Sequence, residues 1–474
     1  MPRSAVKRAV EHAAIAKLWP HQRFTLDFCL AHDRVLDTSD AGTGKTAAHL
    51  IRYSLRPKPR GRLLVLCPKT LMVTAWGEDC EKFTPELTMS FAFASQREEA
   101  FQMDTDVVVM NHDGVKWLAD KKNLKYLAEF DHLVIDEFGA FKHPTSQRSK
   151  AASQIRKFFE YRYALNGTPN PNSVMELWHP ALLIDDGKRL GTSYTRLRSS
   201  VQVPTQVGPM SNHIRWDDKP GANQAVNELL SDITVRHAFE DVMTHVPPNH
   251  KDVKRFSLSP RAQKAYEKME TDLIMALEEG EVISAIHAAS LRTKLLQIAS
   301  GAVYNSDGEG AYSIIDSTRY ELIGDLVEER QHSVVFFNWK HQRDLLCQEF
   351  ESRGLSFALI DGSVPQRERD KIVRDYQAGK YRTILLHPRT GAHGLTLTRG
   401  RLTVFTSPIY EADLMEQGIK RIYRGAQDKE TRTVFIEAKD TVEGSKVYPR
   451  LFEKLEAMND LLGQQAAKHK RAKK

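Results

Sequence analysis

The stretch DTSDAGTGKT, residues 37–46, has the residue types of a loop that binds phosphate groups. Its glycines allow the backbone to bend closely around an anion, and a helix that begins here would direct its N–H groups at the phosphates. Lys45 would neutralise the terminal phosphate oxygens and Thr46 would coordinate Mg²⁺. Ser39 stands where the usual G-x-x-x-x-G-K-[ST] pattern has its first glycine, so this motif alone does not establish a phosphate-binding loop and a second motif is needed. The expected phosphate contacts are Gly42, Thr43, Gly44, Lys45 and Thr46.

Two adjacent carboxylates, Asp136 and Glu137, end the apolar stretch HLVIDE. A carboxylate at the end of a strand can hold Mg²⁺, while its neighbour orients or deprotonates the attacking water. Asp136 is therefore the second candidate metal ligand and Glu137 the candidate base. Paired acids are common on surface loops, but a pair that follows a buried strand predicts hydrolysis of a nucleoside triphosphate.

Continuous apolar runs surround these motifs, separated by helical patterns. Such runs are typical of strands that are buried on both faces, as in a parallel sheet between helices. The pattern predicts an α/β protein with two lobes in tandem, each a mostly parallel sheet flanked by helices. Residues 186–250 have no strong strand pattern and predict a helical connection with an excursion. The runs lie at 62–68, 106–111, 132–136 and 161–167, and then at 332–338, 355–362, 381–387, 401–407 and 432–438.

Composition excludes several classes of protein. The chain has 474 residues, 41% hydrophobic and 27% charged, which is typical of a globular protein of two or three domains. No apolar run is long enough to cross a bilayer, and the N-terminus lacks the apolar core of a signal peptide. The four cysteines form no C-x-x-C pair, so neither a disulfide framework nor a zinc site is indicated. We expect a cytoplasmic protein that is not secreted and does not contact membranes.

The formal charge of +7 is weak evidence for a nucleic-acid partner. The last seven residues, KHKRAKK, carry five of the basic side chains, which leaves 7 − 5 = +2 for the rest of the chain. A terminal run of like charge is either a solvated, disordered end or an arm that binds a polyanion. Both interpretations stay open.

Eight ordered segments resemble the motifs of helicase superfamily two, and more narrowly those of the Swi/Snf-type DNA translocase ATPases. The resemblance runs from about residue 18 to about residue 440 and implies two RecA-like lobes with an ATP cleft between them. It divides the chain into a basic segment at 1–17, lobe 1 at 18–236 with the excursion at 186–230, lobe 2 at 237–462 with a helical linker before it, and a basic disordered tail at 463–474. The segments are DAGTGKT, LLVLCPKTLMVTAW, LVIDEFGAFKHPTSQRSKA, ALNGTPNPNSVMELW, VFFNWKHQRDLL, LIDGSVPQRERDKIV, RTGAHGLTLT and EQGIKRIYRGAQ.

The resemblance also implies roles for residues outside the phosphate loop. Gln22 matches the glutamine that recognises adenine, since its amide offers both a donor and an acceptor. Arg421 and Arg424 match the arginine fingers that reach the γ-phosphate, and Gln417 lies one helical turn before them. Gly394 lies in the segment that couples nucleic acid to nucleotide, where Ala392 replaces a usual glycine.

Candidate nucleic-acid contacts follow the predicted strands. They are small polar groups and isolated cations, which suit phosphate and sugar better than base edges, so sequence-independent binding is expected. Open α/β folds place their ligands at such strand ends. Duplex or branched DNA comes from the resemblance alone, because composition does not separate DNA from RNA. The candidates are Lys69, Thr70, Asn111, His112, Asn338, Lys340, Gly362, Ser363, Arg389 and Thr390.

These observations predict a DNA-dependent ATPase: a translocase or helicase that hydrolyses ATP with Mg²⁺ to move along DNA, remodel it or displace bound factors. We expect a monomer from a bacterium or a phage-infected host cell, because the form is compact. One alternative is an unwinding helicase whose track is single-stranded DNA or RNA. Another is a nucleotide-gated DNA clamp with little turnover, against which the presence of Asp136, Glu137, Arg421 and Arg424 counts.

Overall fold

The computed structural model describes residues 14–167, 173–206, 213–278, 285–304, 311–391 and 395–455. In this part, the chain forms two compact units. The first contains the residues up to Val203 and Asp217–Thr244, and the second contains Pro204–Trp216 and the residues from His245 onward. The domain bounds inferred from the sequence stay a prediction.

Two parallel sheets organise the units. Strands β1 to β17 are Arg34–Asp37, Arg62–Cys67, Met89–Ala92, Val107–Asn111, Phe130–Asp136, Tyr161–Leu165, Gln202–Gln206, Ile214–Asp218, Thr234–Val235, Asn249–Phe256, Ala302–Tyr304, Tyr312–Ile314, Ser333–Phe336, Phe357–Ile360, Thr383–Leu386, Leu402–Phe405 and Thr431–Ala438. The first unit has a seven-stranded sheet in the order β3-β4-β2-β5-β6-β1-β9, and the second has a six-stranded sheet in the order β10-β17-β16-β13-β15-β14.

Helices cover the sheets and connect their strands. Short 3₁₀ or π turns supplement them, for example at Met72–Gly77 and Glu443–Val447. Helices α1 to α17 are Pro20–Ala31, Lys45–Leu55, Glu78–Phe83, Arg97–Gln102, Val115–Leu118, Gln147–Ile155, Trp178–Asp185, Tyr194–Val201, Ala222–Leu230, Phe239–Val242, Pro260–Glu278, Ala285–Ala299, Thr318–Glu329, Lys340–Ser352, Gln366–Gln377, Pro388–Gly391 and Ala412–Ile419.

The apolar runs of the sequence are buried on both faces of these sheets. In β2, Leu64 and Leu66 belong to one core cluster, whereas Leu63 and Val65 belong to the cluster on the opposite face. This arrangement confirms the predicted fold class of two α/β lobes built on parallel sheets.

The structure differs from the sequence prediction at residues 186–250. Strands β7, β8 and β9 lie there, and β10 begins there, although no strand was expected. The sequences QVPTQ and IRWDD are polar and partly exposed, so no apolar run marks β7 and β8. β9 has only two residues and joins the sheet by pairing with β1.

None of the helices in the described ranges combines the length and the apolar character needed to cross a lipid bilayer.

Candidate nucleotide-binding site

The predicted phosphate loop connects the end of β1 to the start of α2. Gly42 and Gly44 have φ values of 86° and 74°, in the left-handed region that favours glycine. A side chain at Gly44 would also collide with the amide nitrogen of Gln22. Ser39 needs no positive φ, so its replacement of the usual first glycine carries no backbone cost.

Lys45, the first residue of α2, folds its side chain back over the loop. Its Nζ donates hydrogen bonds to the carbonyl oxygens of Ser39 at 2.7 Å and Asp40 at 3.1 Å. The ammonium group is therefore held at the mouth of the loop, beside the first turn of a helix whose N-terminus favours anions. Thr46 is the next residue of the same turn.

A buried hydrogen-bonded pair, Asp37 and His49, supports the start of the loop. Asp37 is fully buried, and its two carboxylate oxygens accept bonds from the backbone N–H of Ser39 at 3.0 Å and from Nε2 of His49 at 3.1 Å. Burial alone would raise the pKa of Asp37, but the bond and the charge of His49 outweigh it and lower the pKa to about 2. The loop thus starts from an ionised carboxylate that is fixed in place.

The segment after β9 holds the loop from the side. Arg236, which is 2% exposed, donates to the carbonyl oxygen of Thr38 and, at 2.6 Å, to Oδ1 of Asp40. The backbone N–H of Phe239 donates to the other oxygen of Asp40 at 2.8 Å. This role of Arg236 was not predicted, because 196 positions of chain separate Arg236 from Asp40 and local patterns do not extend over such a distance.

Gln22 lies against the loop, as its predicted role requires. Its Nε2 donates to the carbonyl oxygen of Gly44 at 2.9 Å, and its Oε1 accepts from the backbone N–H of Trp19 at 2.9 Å. His21 lies beside it and bonds the carbonyl oxygen of Thr43 at 2.8 Å. In this arrangement both ends of the Gln22 amide are bonded to protein groups, so recognition of adenine stays a prediction.

Asp136 ends β5, two strands away from the phosphate loop. The strand register places both Asp37 and Asp136 opposite Leu165 of β6, so the two strand ends lie about 10 Å apart at the usual strand spacing. Oδ1 of Asp136 accepts from the backbone N–H of Glu137 at 3.0 Å, and Oδ2 accepts from Nε1 of Trp76 at 3.0 Å. The predicted metal ligand is thus held in one orientation.

The electrostatics of Asp136 suit a cation. Burial raises the pKa of Asp136 above its ordinary value, repulsion from Glu137 raises it further, and the charge of Lys45 opposes both. Glu137 has a left-handed backbone, with φ 54° and ψ 56°, which is uncommon for a residue with a side chain and clusters at functional sites. A divalent cation would offset the cost of burying this negative charge.

The end of β6 closes this part of the site. The backbone N–H of Asn166 donates to the carbonyl oxygen of Asp37 at 3.0 Å. A side chain at Gly167 would come within 3.0 Å of the backbone nitrogen of Ala41, so a glycine is needed for this close approach.

These residues fit a bound nucleoside triphosphate with Mg²⁺. The described residues contain no group of three or more His, Cys, Asp or Glu that could hold a metal ion by themselves. A carboxylate and a hydroxyl that share a Mg²⁺ ion with phosphate oxygens, however, do not require such a group. The half-buried ammonium of Lys45, the helix N-terminus and the fixed Asp136 are the groups that a nucleoside triphosphate and its cation would require.

The second unit carries the predicted arginine fingers. Nη1 of Arg421 and of Arg424 donates to the carbonyl oxygen of Leu395, at 3.2 and 3.3 Å, and Nη1 of Arg424 also donates to Oγ1 of Thr396 at 2.8 Å. Gln417 is buried, and its Oε1 has no hydrogen-bond partner among the described residues. The three residues therefore lie together, whereas Gly394 lies outside the described residues.

The candidate nucleic-acid contacts lie where strands of the two sheets end. In the first unit, Lys69 and Thr70 follow β2, while Asn111 ends β4 and His112 follows it. Lys69 is exposed. His112 is buried, and its Nε2 donates to the backbone carbonyl of Asp136 at 2.7 Å, so it connects the end of β4 to the end of β5.

In the second unit, the corresponding candidates follow β13, β14 and β15. Asn338 donates to Oγ of Ser407 at 2.8 Å and to the carbonyl oxygen of Pro408 at 3.0 Å. Arg389 is exposed and forms an ion pair with Glu411 at 2.8 Å. The remaining candidates of this unit are Lys340, Gly362, Ser363 and Thr390, of which the first three are exposed.

Two protein families match the chain. The SNF2-related domain matches residues 21–300, more than half of the chain, and the helicase conserved C-terminal domain matches residues 318–426.

Individual proteins from a phage and from a bacterium are also similar to this chain in sequence. The chain is 29% identical over 449 residues to putative protein p41 of Acyrthosiphon pisum secondary endosymbiont phage 1, covering 90% of this chain and 93% of the phage protein. It is 22% identical to an uncharacterized ATP-dependent helicase of Mycoplasma genitalium, covering 85% of this chain but only 38% of that protein. Among solved structures, the SWI2/SNF2 ATPase core of Sulfolobus solfataricus in complex with dsDNA has a TM-score of 0.43 and 20% identity, covering 90% of this chain and 89% of the other.

Proposed function

The chain belongs to the SNF2-related domain family, and from that premise we propose that it moves along duplex or branched DNA, remodelling the DNA or displacing factors bound to it. Family membership, together with the helicase C-terminal domain, makes the chain an ATP-dependent enzyme of the helicase class. DNA as the track, and movement without strand separation, are the parts that we propose.

The chemistry follows from the phosphate loop and the end of β5. Lys45 and the N–H groups of residues 42–46 bind and neutralise the phosphates. Thr46 and Asp136 are the residues that would hold Mg²⁺, which neutralises charge on the phosphate oxygens when bound. Glu137 orients the attacking water and accepts its proton.

The other predicted residues complete the proposal. Gln22 contacts the adenine edge, and Arg421 and Arg424 supply positive charge to the γ-phosphate, with Gln417 beside them. His112 connects the DNA-facing edge of the first sheet to Asp136 through its 2.7 Å bond to the Asp136 carbonyl, and thus offers a route by which DNA binding stimulates hydrolysis. Lys69 and the exposed groups of the second unit contact the DNA backbone.

The observation that carries the proposal is the fixed carboxylate at the end of β5. Asp136 is held by the indole of Trp76 and by the backbone of Glu137, within the electrostatic range of Lys45. A clamp that only binds nucleotide would need a Mg²⁺ ligand but not a second carboxylate, whereas here Glu137 is kept beside Asp136 in an uncommon left-handed conformation despite the repulsion between them. Turnover is therefore favoured over nucleotide-gated binding.

The test combines two measurements under one buffer condition. ATPase rates are compared with matched duplex DNA, single-stranded DNA and RNA, and displacement of a third strand from a triplex is compared with release of a strand from a plain fork. We expect stimulation by duplex DNA and triplex displacement with little fork unwinding, all abolished in Glu137→Gln. Fork unwinding without triplex displacement would favour the single-strand helicase, and negligible turnover with every polymer would favour the clamp.

A further inference from the structure

The second unit contains an open cavity of about 520 Å³ that the proposed motor does not explain. Ile409, Val442 and Leu451, all buried, are among the residues that line it. Tyr410 also lines it and is 53% exposed, so an aromatic face is available to a ligand. The volume is within the usual range of ligand sites, about 300–1,000 Å³.

The charged lining of this cavity is mostly basic. Arg292, Lys446 and Arg450 are exposed, and their side chains form no hydrogen bond or ion pair within the described ranges. Lys454 adds a fourth cation and Glu453 a single carboxylate, so the lining carries a net charge of 4 − 1 = +3. An anionic ligand is therefore favoured over a neutral or cationic one.

Tyr410 lies among these cations. Tyr410 is only partly shielded from water, and this partial burial raises the pKa of its phenol, whereas the positive charge of Arg292 opposes the change, which places the guanidinium within electrostatic range of the phenol. A flat aromatic ring beside cations suits a ligand that has both a π face and a negative charge.

The part of the cavity lining that contains Val442 is held in place by a buried ion pair. Glu443, next to the cavity residue Val442, is fully buried and accepts bonds of 2.8 and 2.9 Å from Nη2 of Arg319. Arg319 also bonds the backbone carbonyls of Thr406 and Ala299, so β16, the turn after β17 and helix α12 are joined in one network. The cavity is thus built on supported elements.

One segment of chain links the cavity to candidate DNA contacts of the same unit. Tyr410 follows β16, which pairs with β13, and Val442 follows β17, which pairs with β16 on the other side, so both residues lie beyond the carboxyl ends of strands. Asn338 donates to the carbonyl of Pro408 at 3.0 Å, and Arg389 pairs with Glu411 at 2.8 Å. Two predicted DNA contacts thereby hold the short segment that carries Tyr410.

We propose that this cavity is a subsite for one unpaired nucleotide of a DNA strand, with the base stacked on Tyr410 and the phosphates contacted by Arg292, Lys446 and Arg450. The inference rests on the proposed DNA motor and adds a preference to it. The chain binds duplex DNA that contains a gap, flap or bubble more tightly than a blunt duplex, because only the former offers an unstacked base.

The test is equilibrium binding of the full-length chain to two fluorescent DNAs of equal length, one a blunt duplex and the other a duplex with a short bubble. We expect the wild type to bind the bubbled DNA about tenfold more tightly, as stacking of one base on an aromatic ring allows. Tyr410→Ala should remove the difference, whereas Tyr410→Phe should keep it. A bubble that contains 2-aminopurine should lose fluorescence on binding to the wild type and to Tyr410→Phe only.

Two further variants sharpen the result. Lys446→Gln with Arg450→Gln should weaken binding to bubbled DNA and flatten its salt dependence, by about 0.7 in the logarithmic slope for each lost single-strand contact. Leu229→Ala is the control, since Leu229 is 52% exposed on the first unit and should change neither binding constant. Equal affinity of the wild type for both DNAs, or a preference that survives in Tyr410→Ala, would overturn the subsite. If the wild type showed neither duplex-stimulated ATPase activity nor triplex displacement, the proposed function as a DNA motor would instead be wrong.

Discussion

The indole Nε1 of Trp76 donates a 3.0 Å hydrogen bond to Oδ2 of Asp136, and both side chains are buried. Trp76 lies 60 positions before Asp136 in the chain, in the short helical turn after β2. The tryptophan is therefore a positioning residue for the carboxylate that we propose as a metal ligand.

Replacement of Trp76 by phenylalanine removes this bond and, because Trp76 is fully buried, also removes part of a packed ring. We expect kcat of the DNA-stimulated ATPase to fall about tenfold while ATP affinity changes little, because a buried bond to a charged group is worth about 1.5–3 kcal/mol. Steady-state kinetics and binding of a fluorescent ATP analogue measure the two effects separately. Trp117→Phe, a change at a partly buried core residue of the same unit, should leave kcat unchanged. A similar loss in Trp117→Phe would mean that general packing explains the effect.

Lys45 and Glu137 should fail in different ways. Lys45→Ala removes the phosphate cation, so both ATP binding and turnover should be lost. Glu137→Gln should bind ATP nearly normally but stop hydrolysis, because the attacking water loses its proton acceptor. Glu129→Gln, at a 73% exposed side chain, is the control. Near-normal hydrolysis by Glu137→Gln in the presence of DNA would show that the base lies elsewhere.

Arg424 tests the finger hypothesis more cleanly than Arg421, which is buried. Arg424→Ala should lower kcat by about 100-fold or more while nucleotide affinity changes much less, which is the signature of an interaction made in the transition state. Arg374→Ala, on helix α15 of the same unit, serves as the matched surface change. An unchanged kcat in Arg424→Ala would leave only a structural role, through its bond to Thr396.

The contact between Arg236 and Asp40 should matter for nucleotide affinity. Since Arg236 bonds two residues of the phosphate loop, Arg236→Met and Asp40→Asn should each weaken binding of an ATP analogue by about tenfold. The double variant should lose less binding free energy than the two single variants added together. Calorimetric titration measures all four proteins of the cycle. The exposed pair Arg189 and Asp232, bonded at 2.7 Å, supplies a control cycle in which no change is expected. If the effects of the two substitutions on the binding free energy were strictly additive, the contact between Arg236 and Asp40 would not contribute to nucleotide binding.

His341 makes the second unit sensitive to acid. Burial, and secondly the charge of Arg319, lower the pKa of His341 from 6.5 to about 3, and its ring bonds Ser300 at 2.7 Å and Tyr304 at 3.0 Å. Below pH 6.5 the unfolded chain binds a proton that the folded unit does not, so stability should fall as the pH drops from 6.5 toward 3.

The dependence of the unfolding free energy on pH can be measured. His341 should contribute up to about 1.4 kcal/mol of unfolding free energy per pH unit in that window. His341→Gln should be less stable at neutral pH but should show a shallower decline between pH 6.5 and 4.5, measured by hydrogen exchange of Ser333–Phe336 in urea. Parallel declines of wild type and variant would assign the acid sensitivity to other groups of the same unit, such as His332 and His387, whose pKa values are also lowered by burial.

Local sequence was enough to predict much of the fold and the phosphate loop. Strands buried on both faces must be continuously apolar, so the stretches around Leu63 and Val334 mark themselves in the sequence. Gly44 and Lys45 act within one turn of chain, where the required backbone angles and the helix start depend on adjacent residues only. The Asp136–Glu137 pair was predicted for the same reason, because it directly follows such a strand.

Contacts between distant parts of the chain were decided only by the tertiary structure. Trp76 bonds Asp136, Arg236 bonds Asp40, and Tyr410 lines one cavity together with Arg292 and Lys446, yet none of these contacts is indicated by the neighbouring residues in the sequence. The short strand β9 shows the same limit, since two residues carry no periodicity and only pairing with β1 makes them a strand. Periodicity and turn chemistry are properties of neighbouring residues, whereas the orientation of a buried carboxylate or the lining of a cavity depends on which elements the fold brings together.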